Sequence, residues 1–169
     1  MRTELYWVPG PAKGRIAIMP RPRGGDWLAD EVESWRLASV DVVVSLLTPD
    51  EVSDLGLAEE AAVCQSHGVE FLSFPLADRS IPSSTEAVLE LAGRLANFLA
   101  AGKSVAIHCR QGIGRAALIA ASVLVMLGLD PETAVQRLSA ARGCPVPETS
   151  EQKRWIIKFG ESVLATPTK

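Results

Sequence analysis

The feature that most constrains the fold is a change of pattern in the second half of the chain. Residues 104–109 (SVAIHC) form a short apolar run that is typical of a buried strand. After a short loop, the chain continues at Arg115 into an apolar run with a helical pattern that stops at Gly128. A strand that passes directly into a helix predicts an α/β fold, and in such folds these loops hold ligands.

The rest of the chain alternates between strand and helix patterns and then becomes helical. Residues 40–47 and 69–75 are rich in β-branched side chains and indicate two more buried strands, and residues 15–20 (RIAIMP) are strand-like. Helical patterns cover residues 27–38, 57–67, 85–101, 115–127, 131–141 and 149–164. Together they predict a central, parallel-rich mixed sheet flanked by helices, with a helical C-terminal half.

Composition and charge narrow the class of protein. A chain of 169 residues that is 47% hydrophobic fits one domain, residues 1–169. The formal net charge of -3 gives no global basic surface, so we expect no nucleic-acid partner and no membrane partner. We also find no apolar run of signal-peptide or membrane-span length. Three widely spaced cysteines suit neither a disulfide framework nor a zinc motif, which predicts a cytoplasmic protein without a metal site.

The loop that joins strand to helix, residues 109–115 (CRQGIGR), has the composition of an anion site. Gly112 and Gly114 can take conformations with positive φ, or lie close to an anion, so that backbone N–H groups converge on one point. The following helix adds free N–H groups and the positive end of its dipole. The guanidinium of Arg115 can donate two parallel hydrogen bonds to a phosphoryl group. The residues predicted to bind phosphate, or another oxyanion, are Arg110, Gln111, Gly112, Ile113, Gly114 and Arg115.

Cys109 begins this loop, in the same positive field. Such a field favours the thiolate, and a thiolate below a bound phosphate is placed to attack phosphorus. Two simpler interpretations remain open. Cys109 can be a small buried residue at a strand end, and Gly112-x-Gly114-x-x-Ala117 matches a relaxed dinucleotide-binding fingerprint. The fingerprint requires a further strand, whereas the chain after Gly114 has helical patterns only.

The motif His108-Cys109-x5-Arg115 resembles the phosphate-binding signature of the protein tyrosine and dual-specificity phosphatases. Its position in the second half of a small α/β domain is similar to that in dual-specificity and cyclin-dependent-kinase-inhibitor-type phosphatases. The resemblance covers most of the chain. It implies a dual-specificity-phosphatase-like fold and a reaction through phospho-cysteine that needs no cofactor.

Asp78 is the predicted general acid. Its segment, residues 74–82 (FPLADRSIP), leaves a predicted strand and precedes the crossover helix that leads to Cys109. The leaving oxygen of a phosphate ester needs a proton, and the family that this chain resembles carries an aspartate at the matching position of such a loop. Asp78 could instead cap a helix, although Ser83 and Ser84 are better placed to do so.

The resemblance also suggests two supporting residues and one departure. His108 would support the thiolate, although a histidine at the end of an apolar strand is as often a plain core residue. Gln152 matches a glutamine that orients the hydrolytic water in several relatives, but its helical position favours a surface residue. Ala116 stands where most relatives have Ser or Thr, whose hydroxyl assists phospho-enzyme breakdown.

The sequence therefore predicts a phosphatase that hydrolyses phosphate monoesters of protein phosphotyrosine, and of phosphoserine or phosphothreonine. Because Ala116 replaces Ser or Thr, a weakly active module that binds phosphoproteins is the alternative. A sulfurtransferase, which also carries a cysteine in an anion-binding loop, is the nearest enzymatic rival, but it would not need an acid such as Asp78.

Overall fold

In the computed structural model, which describes residues 4–165, short strands alternate with helices and the last three elements are helices. The strands are β1 Tyr6–Val8, β2 Ile16–Met19, β3 Val42–Ser45, β4 Glu70–Ser73 and β5 Val105–His108. The helices are α1 Leu28–Leu37, α2 Pro49–Asp54, α3 Glu60–Ser66, α4 Thr85–Ala100, α5 Arg115–Met126, α6 Pro131–Arg142 and α7 Ser150–Ala165, with a 3₁₀ turn at Gly25–Trp27. This arrangement confirms the predicted α/β class.

The strands form one mixed sheet in the order β1-β2-β5-β3-β4. Only β1 is antiparallel to its neighbour, and β2, β5, β3 and β4 run parallel. The central strand, β5, pairs on both sides, so that Ile107 lies opposite Ile18 and Val44. Because neighbouring parallel strands all end at one edge of the sheet, the loop that follows β5 opens at the centre of that edge.

Both faces of the sheet are covered along the inner strands, as a parallel sheet requires. Strand β4 lies at the edge and its residues are exposed or half-buried, so the prediction of a buried strand there was wrong. Side chains alternate along β5: Val105 and Ile107 face a core formed with α4, α5, α6 and α7, while Ala106 faces a smaller core formed with α1 and α3. Helix α5 lies inside the larger core, and every residue from Arg115 to Val125 is buried. The start of α5, which carries Arg115, is therefore rigidly placed.

Two elements were not predicted from the sequence. The first is β1, a three-residue strand that pairs Tyr6 with Ile18 of β2. The second is α2, which begins with a capping box: the Thr48 hydroxyl accepts a hydrogen bond from the Glu51 N–H, and the Glu51 carboxylate accepts one from the Thr48 N–H. In the chain from residue 4 to residue 165, no helix is long and apolar enough to cross a membrane.

Candidate active site

Cys109 lies at the floor of a small pocket at the carboxyl edge of the sheet, with 3% of its surface exposed. Its sulfur accepts hydrogen bonds from two backbone N–H groups, those of Gly112 at 3.3 Å and of Ala116 at 3.4 Å. The second donor belongs to the first turn of α5, where N–H groups have no partner within the helix. The loop therefore surrounds the sulfur with donors that stabilise negative charge on it.

The two glycines of the loop are required for different reasons. Gly112 has a φ of +75°, as predicted, and a Cβ there would lie 2.6 Å from the carbonyl carbon of Met19. Gly114 has a φ of -105°, which any residue can adopt, so it does not supply a positive φ. A Cβ at Gly114 would instead lie 3.1 Å from the Glu148 carboxylate and 3.3 Å from the Gln152 amide nitrogen. Gly114 thus leaves room for side chains of the C-terminal segment.

Arg115 is 1% exposed and lies beside Cys109 in the pocket lining. It forms a bidentate ion pair with Glu51, in which Nη1 donates to Oε1 at 2.6 Å and Nη2 donates to Oε2 at 3.0 Å. Nη1 also donates to the carbonyl oxygen of Leu76 at 2.9 Å. Its Nε is buried without a hydrogen-bond partner. Because a buried charged donor without a partner is costly, this N–H is available to a ligand oxygen.

Glu51 is the largest omission of the sequence analysis. Its hydrogen bond with Arg115 lowers the pKa of the Glu51 carboxyl from 4.5 to about 2, against the opposing effect of burial. Burial opposes the charged form of Arg115, but its bond to Glu51 and the nearby Cys109 and Asp78 raise the pKa of the guanidinium above its usual value. The arginine is therefore held as a fixed cation. The Thr48-Pro49-Asp50-Glu51 capping box is a signal that could have located α2, but not its partner.

Asp78 lies at the mouth of the same pocket, opposite the loop, with a side chain that is 54% exposed. Its Oδ1 is 3.3 Å from Nη2 of Arg115. The pocket is small, about 150 Å³. Its lining residues are Asp78, Arg79, Cys109, Arg110, Gln111, Ile113, Gly114, Arg115 and Glu148. The structure thus brings the predicted acid and the predicted nucleophile into one pocket.

Three other predicted phosphate-binding residues also make contacts outside the pocket. The Arg110 side chain is 48% exposed, and its Nη1 lies 3.7 Å from Glu51. The Gln111 carbonyl accepts a hydrogen bond from Nη2 of Arg142 at 3.3 Å, which ties the loop to α6. Ile113 is partly buried and packs against the larger core. The loop is consequently fixed from the outside and presents its backbone to the pocket.

His108 is fully buried behind Cys109. Its Nε2 is 2.6 Å from Oε2 of Glu60 on α3, a partner that sequence reasoning missed and that no local signal could have identified. Its Nδ1 lies 3.4 Å from the Cys109 carbonyl oxygen. The imidazole therefore joins the backbone at the nucleophile to a buried carboxylate, which fixes the ring orientation.

Gln152 is buried, so the expectation of a surface residue was wrong. Its side-chain Oε1 accepts a hydrogen bond from the Thr149 backbone N–H at 3.1 Å, and the Thr149 hydroxyl accepts one from the Gln152 backbone N–H at 3.1 Å. This capping box fixes the start of α7 and turns the Gln152 amide inward. Its Nε2 donates to the carbonyl oxygen of Ser80 at 3.2 Å, within the loop of residues 74–82 that carries Asp78, the acid loop.

The structure tests the dinucleotide-binding interpretation, the state of the cysteines and the possibility of a metal site. The chain from Arg115 to residue 165 forms α5, α6 and α7 without a further strand, which removes the dinucleotide-binding interpretation. Cys64, Cys109 and Cys144 are all free, and burial raises the pKa of the Cys64 thiol to about 12. No cluster of three His, Cys, Asp or Glu side chains suited to a metal ion occurs within residues 4–165.

Comparisons with known proteins agree with this geometry. The cyclin-dependent kinase inhibitor 3 of Rattus norvegicus is 25% identical over 137 residues, which cover 80% of this chain and 64% of that protein. This chain thus spans less than two thirds of that relative's length. A solved structure of kinase associated phosphatase, with serine in place of its catalytic-site cysteine, superposes with a TM-score of 0.89 at 20% identity and covers 99% of both chains. Tk-PTP in its active form gives a TM-score of 0.73 at 25% identity, over 93% of this chain and 96% of that one.

A family model described as "Polymorphic toxin system, DSP-PTPase phosphatase" matches residues 17–129. The matched segment runs from β2 through α5 and so includes the acid loop, Cys109 and Arg115. The resemblance inferred from the sequence is confirmed, and the chain belongs to this dual-specificity and tyrosine phosphatase family.

Proposed function

We propose that this protein hydrolyses phosphate monoesters on phosphorylated proteins through a phospho-cysteine intermediate. The observation that carries the proposal is the pairing of the Cys109 sulfur, which accepts two backbone N–H bonds, with the buried and unpartnered Nε of Arg115 in one pocket. A phosphoryl oxygen would satisfy that N–H, while the loop N–H groups and the α5 dipole stabilise the remaining charge. Phosphate is the small anion that this site fits best.

The reaction has two steps, and Asp78 acts as the acid in the first and as the base in the second. In the first, the Cys109 sulfur forms a bond to phosphorus, the bond between phosphorus and the ester oxygen breaks, and Asp78 gives that oxygen its proton. In the second, water attacks phosphorus, Asp78 accepts a proton from it, and the bond between sulfur and phosphorus breaks to release phosphate. No metal and no cofactor takes part in either step.

The pocket supports a substrate range that includes phosphotyrosine and also phosphoserine or phosphothreonine. Asp78 and Arg79, two of its lining residues, are 54% and 63% exposed, which favours an open pocket that accepts short phosphorylated side chains as well as long ones. Relatives named as a cyclin-dependent kinase inhibitor and a kinase associated phosphatase support a protein substrate. The three free cysteines support a cytoplasmic location, and the net charge of -3 supports partners other than nucleic acid or membrane. The single sheet with a core on each face supports one catalytic domain, residues 1–169.

The alternative is a module that binds phosphoproteins and turns them over slowly, because Ala116 replaces the usual Ser or Thr. The backbone at this position favours the enzyme. The Ala116 N–H lies 3.4 Å from the Cys109 sulfur and can stabilise the departing thiolate in the second step without a hydroxyl. His108, the second candidate for that task, reaches only the Cys109 carbonyl oxygen through its Nδ1.

The test is turnover of p-nitrophenyl phosphate in the presence of EDTA, with Cys109→Ser, Arg115→Ala and Asp78→Ala beside the parent protein. We expect metal-independent turnover that Cys109→Ser abolishes and that Asp78→Ala lowers by about 10²- to 10⁴-fold. Vanadate binding without turnover would identify the binding module. Activity that persists in Cys109→Ser would refute the mechanism, and thiosulfate:cyanide activity without phosphatase activity would identify a sulfurtransferase.

A further inference from the structure

The acid loop is joined to the C-terminal segment by two side-chain bonds. Nη1 of Arg79 donates to Oε1 of Glu148 at 2.8 Å, and Nε2 of Gln152 donates to the Ser80 carbonyl oxygen at 3.2 Å. Each bond connects residues that are 69 or 72 positions apart in the chain. The two residues that follow Asp78 are therefore both anchored, while Asp78 itself has a single ion-pair partner, Arg115 at 3.3 Å.

The acid loop is bonded to the sheet region at its start, where the Leu76 N–H donates to the Leu46 carbonyl oxygen at 3.0 Å, and it is closed by a turn in which the Ser80 N–H donates to the Ala77 carbonyl oxygen at 3.2 Å. The bonds to Glu148 and Gln152 add a connection from this turn to the C-terminal segment. Asp78 is 54% exposed, and the next residue, Arg79, has a φ of +59°, a conformation that a residue with a side chain rarely adopts unless its surroundings impose it. The turn bond between Ser80 and Ala77 accounts for this conformation, and the ion pair with Glu148 connects the turn to the C-terminal segment.

The same two anchoring residues also contact the phosphate loop. A Cβ on Gly114 would lie 3.1 Å from Oε2 of Glu148 and 3.3 Å from Nε2 of Gln152, so both side chains close directly over this glycine. Glu148 is only 23% exposed and Gln152 is buried. The capping box between Thr149 and Gln152 makes the segment rigid. Residues 148–152 therefore contact both the acid loop and the loop from Cys109 to Arg115.

We propose that Glu148 and Gln152 are positioning residues that form a clasp, the Glu148–Arg79 and Gln152–Ser80 bonds, which holds Asp78 above Cys109 in proton-transfer position. This inference rests on the proposed function, since it concerns the delivery of a proton by Asp78. In the first step, a misplaced acid costs rate only when the leaving oxygen needs the proton. The clasp should therefore speed this step for poor leaving groups and leave it unchanged for good ones.

The experiment compares phenyl phosphate, whose leaving oxygen needs a proton, with 2,4-dinitrophenyl phosphate, whose leaving oxygen does not. We expect Glu148→Gln to lower kcat/KM on phenyl phosphate about two- to fivefold, as for an exposed ion pair. Gln152→Met removes two neutral hydrogen bonds, those with Thr149 and Ser80, and should lower kcat/KM about five- to tenfold. On the dinitrophenyl ester kcat/KM, which reports the first step alone, should stay unchanged. Glu70→Gln, which breaks the exposed Arg94–Glu70 pair at 3.1 Å far from the pocket, is the matched control.

Two further variants separate positioning from a general structural role. In an Asp78→Asn background, Glu148→Gln should cause no additional loss, because there is no acid left to position. The exchanged pair Arg79→Glu with Glu148→Arg should recover most of the activity that either change alone removes. Equal losses on both esters, or a full additional loss in the Asp78→Asn background, would overturn the clasp. A loss in Glu148→Gln that Arg79→Ala does not reproduce would identify Glu148 as a proton donor and would also overturn it.

A measurement without turnover keeps this inference separate from the proposed function. Amide hydrogen exchange across residues 77–80 should become faster in Glu148→Gln and in Gln152→Met, and remain unchanged in Glu70→Gln. Unchanged exchange in the first two variants would refute the clasp even if the enzyme is active. If exchange responds as expected but the parent protein has no Cys109-dependent turnover, the clasp stands and the proposed function fails.

Discussion

Replacement of Glu51 by Gln isolates the charge that holds Arg115 in place. Glutamine has the same shape, and a Gln at this position still completes the capping box with Thr48, so α2 should remain intact. What disappears is the carboxylate that receives two donors from Arg115 at 2.6 and 3.0 Å. Arg115 then stays 1% exposed with one carbonyl and Asp78 as its remaining partners.

The expected loss of stability follows from two independent magnitudes. Lowering the pKa of Glu51 from 4.5 to about 2 corresponds to about 3 kcal/mol in favour of the folded protein at neutral pH. Removal of one partner from a buried ion pair costs about 3 to 5 kcal/mol. Because Asp78, at 3.3 Å, compensates part of the lost charge, we expect about 3 kcal/mol for Glu51→Gln. Many small domains have about 5 to 15 kcal/mol in total, so this is a large effect.

The pH dependence provides the sharper assay. The folded-state pKa of Glu51 lies below its unfolded value, so its stabilisation is complete above the unfolded pKa of about 4.5 and is lost as the pH falls towards 2. Urea unfolding of parent and Glu51→Gln should therefore differ by a constant amount between pH 6 and 8. The two curves should begin to converge below about pH 4 and should meet only near pH 2.

A comparison with an exposed ion pair controls for general charge effects. Glu70→Gln removes a carboxylate that is 43% exposed, and it should cost less than about 1 kcal/mol at every pH. A loss for Glu51→Gln as small as that of Glu70→Gln would contradict the reasoning. So would a difference that does not shrink on acidification, because a loss independent of pH would come from packing and not from the Glu51 charge.

Three other predictions concern the loop and the cysteines. Ala116→Ser should speed phospho-enzyme breakdown by adding a hydroxyl donor beside the Cys109 sulfur, and unchanged burst kinetics with p-nitrophenyl phosphate would reject this. Gly112→Ala should destabilise the fold by about 2 kcal/mol, because φ is +75° and Met19 is in the way, whereas Gly114→Ala should lower activity more than melting temperature because it displaces Glu148 and Gln152. Cys64, whose pKa burial raises to about 12, should resist iodoacetamide at pH 8 in the folded protein and react after denaturation, as read by mass spectrometry.

Local signals in the sequence were sufficient to predict elements with a clear cap or a clear strand pattern. Helix α4 was predicted to follow Ser83 and Ser84, and the Ser84 hydroxyl indeed accepts a hydrogen bond from the Ala87 N–H at 3.1 Å. Strand β5 was predicted from its β-branched run. By contrast, β1 has three residues and exists only through its pairing with β2, which a local pattern does not contain. Helix α2 has six residues and no apolar period, and its local signal is the capping box of Thr48 and Glu51.

The same distinction applies to the site. The loop from Cys109 to Arg115 is local, so its motif was sufficient to predict it. Glu51, Glu60 and Glu148 act through partners that lie 64, 48 and 69 positions away, and nothing in their own neighbourhood distinguishes them from surface carboxylates. Gln152 was misjudged for a related reason. Its helical pattern was correct, but the contact with Ser80 that buries it comes from a loop 72 residues earlier.

The ion pair with Glu51 explains how Arg115 can be held in place and still bind a phosphoryl group. Glu51 and the Leu76 carbonyl occupy both protons of Nη1 and one of Nη2, which holds the guanidinium plane from one side. The other side offers the unpartnered Nε and the Nη2 proton that faces Asp78 at 3.3 Å. A phosphoryl group that binds to Nε and Nη2 would therefore replace Asp78 as the partner of Arg115 without disturbing Glu51. Since the clasp through Glu148 and Gln152 keeps the acid loop in place, Asp78 would remain above Cys109 when this exchange occurs.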